Sequence, residues 1–178
     1  MPVAESERLL IRPWTHDGSD LDRVFDMYSR AEVVRYLGSY PKPMASPDAA
    51  AAAVDRWTAR CTSDGRYGVW AAEVTLTGVV AGTVLLLPLP NEQTVVEVGW
   101  HLHPDSWGHG YATEAAGALL RKGFADGLPE IFAVVRPDNE PSLRVCRRLG
   151  MTQLGRTSRW YDAELEQFRL AAPGQGTA

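Results

Sequence analysis

Between Tyr67 and Leu102 the chain holds three β-rich runs with only short breaks between them, and from Gly108 it switches to a helical pattern. The runs are Tyr67 to Thr75, Val79 to Leu87 and Thr94 to Leu102, broken by Leu76-Thr77-Gly78 and by Pro88 to Gln93. Breaks this short join neighbouring strands into an antiparallel meander. Ala112, Ala115, Ala116, Leu119, Leu120, Gly123 and Phe124 then follow helical spacing. Ile131 to Val135 is a compact apolar strand of the buried kind. The strand-helix-strand stretch from Thr94 to Val135 is long enough for a right-handed parallel crossover.

The flanking segments complete the pattern. Arg8 to Trp14 reads as a first strand closed by Pro13. Asp17 to Arg30 reads as a helix with Ser19 or Asp20 as cap. Ser46 to Cys61 is a second helix, capped by Ser46, with Pro47 in its first turn and Val54 and Trp57 on its buried side. Between them, Pro41, Pro43 and Pro47 punctuate a loop that is either a connector or part of a substrate mouth. Asn139 to Leu149 is a helix ended by Gly150, and Arg156 to Tyr161 and Glu166 to Leu170 are expected closing strands. The expectation is α+β, a mixed, mostly antiparallel central sheet flanked by helices. One domain covers 1–172, and 173–178 is a frayed tail.

The net charge of -4 argues against a general nucleic-acid binder, although Arg136, Arg144, Arg147 and Arg148 make one region locally basic. No run approaches the ~18 apolar residues of a membrane span. Met1 to Arg12 lacks the layout of a secretory signal. Two cysteines, Cys61 and Cys146, make no disulfide framework or metal spacing, so no metal is expected and a reduced, cytoplasmic setting is. Cys146 reads as core packing.

The chemistry concentrates between Val98 and Ala115, where a strand ends, a loop carries Gly108 and Gly110, and a helix begins. Free amides and the helix dipole at such a start hold phosphates. Gly110 is followed by Tyr111-Ala112 rather than Lys-Ser/Thr, which excludes the P-loop. With only two glycines the dinucleotide fingerprint fails too.

Trp107-Gly108-His109-Gly110-Tyr111-Ala112 resembles the pyrophosphate signature of the GNAT acetyltransferase superfamily, with Trp107 where the superfamily carries Gln or Arg. That replacement is common in the RimJ/RimL-like branch, which acetylates ribosomal-protein N-termini. Asn139-Glu140-Pro141-Ser142 followed by Leu149-Gly150-Met151 resembles a second family motif, with Met151 in place of an aromatic residue. Glu7 to Arg12 resembles the branch's opening strand.

The resemblance implies a GNAT fold with a splayed strand pair at the cofactor site. It implies acetyl-CoA as co-substrate, held by the backbone of Trp100, His101 and Leu102 and by the amides of Gly108, His109, Gly110, Tyr111, Ala112 and Thr113, with Trp107 opening the cofactor-binding signature. It also implies Asn139 on the pantetheine or adenine-side arm, Ser142 near the sulfur, and a homodimer as a family-level expectation. The implied activity is N-acetyl transfer to a primary amine, on a protein N-terminus or a small molecule, by direct attack in a ternary complex. The alternative is a CoA-binding module of the same fold without turnover.

Direct attack needs a base for the amine and a donor for the thiolate. Glu97, in a strand among apolar neighbours, is the first candidate base; the competing reading is an exposed strand carboxylate. Burial would raise its pKa toward a useful range. Strand alternation puts Glu97, Gly99, His101 and His103 on one face, unless a bulge at Gly99 intervenes. Either histidine could take a proton, or be structural. Ser142 is the candidate donor, or a local cap, and Tyr161 a weaker donor. The acidic balance suggests a cationic acceptor.

Overall fold

The computed structural model describes residues 2–38 and 41–174. Among them, eight strands form one sheet, ordered β1-β2-β3-β4-β5-β6-β8-β7. The strands are β1 Ala4–Glu5, β2 Leu9–Pro13, β3 Gly68–Val74, β4 Val80–Leu89, β5 Glu92–Leu102, β6 Glu130–Val135, β7 Thr152–Thr157 and β8 Leu165–Ala171. The helices are α1 Gly18–Tyr28, α2 Ala31–Val34, α3 Asp48–Ala59, α4 Tyr111–Ala125 and α5 Glu140–Arg148. Every neighbouring pair is antiparallel except β5 and β6, which are parallel and joined by the α4 crossover. The expected α+β mixed sheet is the observed one.

Each face of the sheet carries its own apolar layer. Leu119 and Ala116 of α4 and Leu143 and Cys146 of α5 pack with Trp70, Leu86, Val98 and Phe168. On the other face, Val24 and Met27 of α1 and Ala50 and Val54 of α3 pack with Trp14, Ala71 and Val80. Because Val98 belongs to the α4 layer, its neighbours Glu97, Gly99 and His101 turn toward α1 and α3. The β4–β5 register is unbroken from Gly82↔Leu102 to Pro88↔Val96, so no bulge forms at Gly99 and the alternation holds.

Some local expectations need correction. β4 and β5 run on past Leu87 and before Thr94, and turn at Pro90-Asn91 with Asn91 at φ 62°. The capping residue of α1 is Asp17, not Ser19 or Asp20. Asp20 is buried instead, and its carboxylate accepts from both terminal nitrogens of Arg12 at 2.8 Å. Helix α3 starts after Pro47, so Ser46 contributes only its carbonyl, to Ala49 N at 3.1 Å. The strand expected over Arg156 to Tyr161 lies earlier, at Thr152–Thr157, and Tyr161 and Asp162 sit in a turn at φ 59° and 48°. Of the expected frayed tail, 175–178 lies outside the described residues. Among the described residues no helix is long and apolar enough to cross a membrane.

Gly82 in β4 lets the backbone of β5 approach closely where the sheet meets the site. A Cβ at Gly82 would overlap the His101 carbonyl oxygen and lie 2.7 Å from Leu102 Cα. Gly82→Ala should therefore push β5 away from β4. A loss of about 1–3 kcal/mol is expected, read as a shift in the denaturant midpoint.

Candidate active site

β5 and β6 share one register pair, Glu97↔Phe132, and diverge beyond it. His103 N donates to Ala81 O at 2.9 Å, which fixes the antiparallel phase of β5. By alternation the backbones of Glu97, Gly99 and His101 face β4, and those of Trp100 and Leu102 face the opening. The Leu102 carbonyl there accepts from Trp107 Nε1 at 3.0 Å, so the Trp107 indole clasps the strand end. An extended chain laid into this opening finds the edge of Trp100 free to pair with it.

The opening leads to the start of α4. Gly108 and Gly110 both adopt left-handed φ, 79° and 81°, which turn the chain sharply into the helix. Gly110 is the N-cap and offers no side chain to the helix amides. The first intrahelical bond there is Glu114 N to Gly110 O at 3.1 Å, which leaves the amides of Tyr111, Ala112 and Thr113 unused by the helix. A cavity of about 440 Å³ runs along this surface. It is lined by Trp100, His101, Leu102, Trp107, Gly108, Gly110, Tyr111, Ala112, Thr113, Asn139 and Ser142. His109 is the one expected cofactor residue that does not line it; its ring stands edge-on to Tyr111. Arg144 and Arg148 on α5 add positive charge to the wall. The Thr113 hydroxyl is buried there without a hydrogen-bond partner among the described residues. Free amides, basic walls and an open strand edge together suit a diphosphate with an extended arm.

Asn139 and Ser142 owe their placement to helix capping. Asn139 Oδ1 accepts from Ser142 N at 3.3 Å and starts α5. Both residues also line a second cavity of about 270 Å³, which shares Trp100 and His101 with the wall of the first.

Glu97 lies in that second cavity and is only 7 % exposed, which removes the reading of an exposed strand carboxylate. Burial pushes its pKa up to about 7, against the pull of the Tyr161 hydrogen bond and the Arg60 charge. The Tyr161 hydroxyl donates to Glu97 Oε1. Burial first, and then the Glu97 charge, raise the phenol's own pKa, so it stays protonated. The pairing was not legible in sequence because Tyr161 reaches Glu97 only from a left-handed turn beyond β7.

The histidines divide. His101 Nδ1 is 3.0 Å from the Tyr28 hydroxyl, and burial lowers its pKa to about 4, so its ring is neutral at pH 7. His103 is buried, with Nε2 2.9 Å from Asp26 Oδ2 and Nδ1 accepting the Asp105 amide at 3.2 Å. Nδ1 also lies 3.0 Å from Asp105 Oδ1, and these contacts make His103 a brace between β5 and α1. Cys146 is fully buried and its thiol is pushed up to about 12 by burial, consistent with core packing.

Residues 8–152 match the model of the GNAT acetyltransferase domain. The chain belongs to the GNAT acetyltransferase family. It is 31% identical to the N-acetyltransferase YoaA of Bacillus subtilis (strain 168) over 156 residues, covering 86% of this chain and 85% of that protein. The FsC-acetyl coenzyme A-N(2)-transacetylase of Aspergillus fumigatus is 26% identical over 170 residues, covering 90% of this chain and 69% of its own. Among solved structures, a GNAT acetyltransferase from Bacillus anthracis superposes with a TM-score of 0.77 at 23% identity, covering 95% of this chain and 98% of that one. The ribosomal-protein α-N-acetyltransferase RimL, in complex with coenzyme A, gives 0.77 at 17% identity, over 96% and 98%. These GNAT structures share the fold. The family match places the glycine loop, α4 and β6 inside the conserved domain boundaries.

Proposed function

We propose that this GNAT protein transfers an acetyl group from acetyl-CoA to a primary amine by direct attack in a ternary complex, without an acyl-enzyme. One observation carries the reading: a buried carboxylate, Glu97, lines a cavity that shares the walls of Trp100, His101, Asn139 and Ser142 with the glycine-loop cavity. Acetyl-CoA, when bound, supplies an acyl carbon already activated as a thioester. The amides of Tyr111, Ala112 and Thr113 hold its diphosphate, and the Trp100 edge pairs with its arm. Glu97, as carboxylate, takes a proton from the amine nitrogen directly or through water. The C–N bond forms as the C–S bond breaks, and Ser142 donates a proton to the departing sulfur. Tyr161 orients Glu97 by its hydrogen bond. The Glu7 to Arg12 strand and Trp107 support placement near the RimJ/RimL-like branch, and the structural likeness to RimL is compatible with it.

Thiol release from acetyl-CoA with a panel of amines tests this directly. Turnover that falls in Ser142→Ala is expected. CoA binding with no thiol release for any amine would instead favour a binding module without turnover.

Tyr161→Phe provides a finer check. The lost hydrogen bond is one that holds the Glu97 pKa down. The rise of kcat/KM with pH should therefore move upward, toward about pH 8. A limb that stays at its wild-type position would show that Tyr161 does not tune the base.

A further inference from the structure

The protein as a whole is acidic, with a net charge of -4, but the cavity around Glu97 is not. Among its described lining residues Glu97 is the one carboxylate, and two arginines, Arg60 and Arg136, line it as well. Arg60 acts electrostatically on both Glu97 and Tyr161. Arg136 is aimed by a hydrogen bond from Nη2 to the Gly38 carbonyl at 2.8 Å. Arg8, Arg12, Arg23, Arg156 and Arg159 all have carboxylate partners within 3.0 Å. Among the described residues, Arg60 and Arg136 form no such pair.

A polyamine or aminoglycoside would meet two positive charges here for a single negative one. A zwitterion matches the arrangement: one carboxylate for its amine and two guanidiniums for its anion. The volume of about 270 Å³ is below the usual range for drug-sized ligands and suits a small molecule.

We infer that the acceptor is a small amine carrying a carboxylate a few bonds from the nitrogen, an amino-acid-type substrate. Glu97 faces its nitrogen, and Arg60 and Arg136 hold its carboxylate. This rests on the acetyl-transfer reading above and narrows it. Guanidinium–carboxylate hydrogen bonds are among the stronger ones in proteins, and Arg presents its donors as a planar fork.

The test pairs common α-, β- and γ-amino acids with their carboxamides, and adds short peptide amides beginning with the same residues. Thiol release from acetyl-CoA is followed with the intact protein. At least one free acid should exceed its carboxamide in kcat/KM by about 10- to 100-fold. In Arg60→Met and Arg136→Met that ratio should fall toward one, mainly through KM. Arg60→Lys and Arg136→Lys should keep part of it, which separates loss of charge from loss of fold. Carboxamides or peptide amides that serve as well as the free acids would overturn the inference while leaving acetyl transfer intact. So would a ratio unchanged in both methionine variants. No thiol release with any amine would defeat acetyl transfer itself, and the inference with it.

Discussion

Replacing Glu97 by glutamine is expected to lower kcat/KM for acetyl transfer by about 100-fold or more, the lower end of what a positioned general base supplies. The change keeps the side chain's size and leaves an oxygen to accept from Tyr161, so the cavity should survive. The wild-type rate should rise with pH through about 7, because the carboxylate is the active form and burial has raised its pKa there. In Glu97→Gln that limb should vanish, leaving only the titration of the substrate amine at higher pH. Stability should move the other way. The folded pKa lies above the ordinary value of 4.5, so the folded protein binds a proton at Glu97 more tightly than the unfolded chain does. That contribution is fully present below about pH 4.5 and is lost as pH rises through about 7. At pH 8 the buried charge costs on the order of 3 kcal/mol, a cost the glutamine variant escapes. Its unfolding midpoint at pH 8 should equal or exceed that of the wild type. A variant that is both inactive and much less stable at pH 8 would make Glu97 a structural group, and a variant with unchanged turnover would remove it from the chemistry.

This dual behaviour of Glu97 shows what a sequence can and cannot disclose here. The glycine loop and its helix were legible because their parts are consecutive: a strand edge, two glycines and an alanine-rich helix lie between Val98 and Ala125, where local geometry decides the outcome. Likewise Asn139 announces the start of α5 through a contact only three residues long. The cavity around Glu97 is assembled from separate segments. Arg60 follows α3, Glu97 lies in β5, Arg136 follows β6 and Tyr161 sits in the turn between β7 and β8. No spacing rule connects such residues; the strand order β5-β6-β8-β7 and the packing of α3 on the sheet bring them together. Asp20 illustrates the same limit. A cap preference is local, but its ion pair with Arg12 depends on how α1 folds back on β2, and the tertiary partner won. The overall negative charge does not describe the cavity around Glu97, where Arg60 and Arg136 also line the wall. Net charge is a sum over the surface, whereas recognition follows the few groups that line the cavity.

Exchanging both loop glycines for valine, Gly108→Val with Gly110→Val, is expected to weaken CoA binding by about 100-fold or more. Each glycine sits at a left-handed φ, 79° and 81°, that a β-branched residue adopts only with strain. The strained loop would rotate away and take the first helix amides out of line with the diphosphate. Losing two charge-assisted hydrogen bonds at roughly 1.5–3 kcal/mol each accounts for a change of that size. Strain alone would also lower stability, so a matched control is needed. Gly127, just beyond the other end of α4, has φ 84° and open space around its Cβ position. Gly127→Val should carry about half of that strain and a correspondingly smaller drop in the thermal midpoint, yet bind CoA as the wild type does. Isothermal calorimetry on the three proteins separates the effects. CoA affinity preserved within threefold in the doubly substituted protein would mean that the diphosphate is held somewhere other than the start of α4. An equal loss in Gly127→Val would mean that the helix as a whole, and not its exposed amides, governs binding.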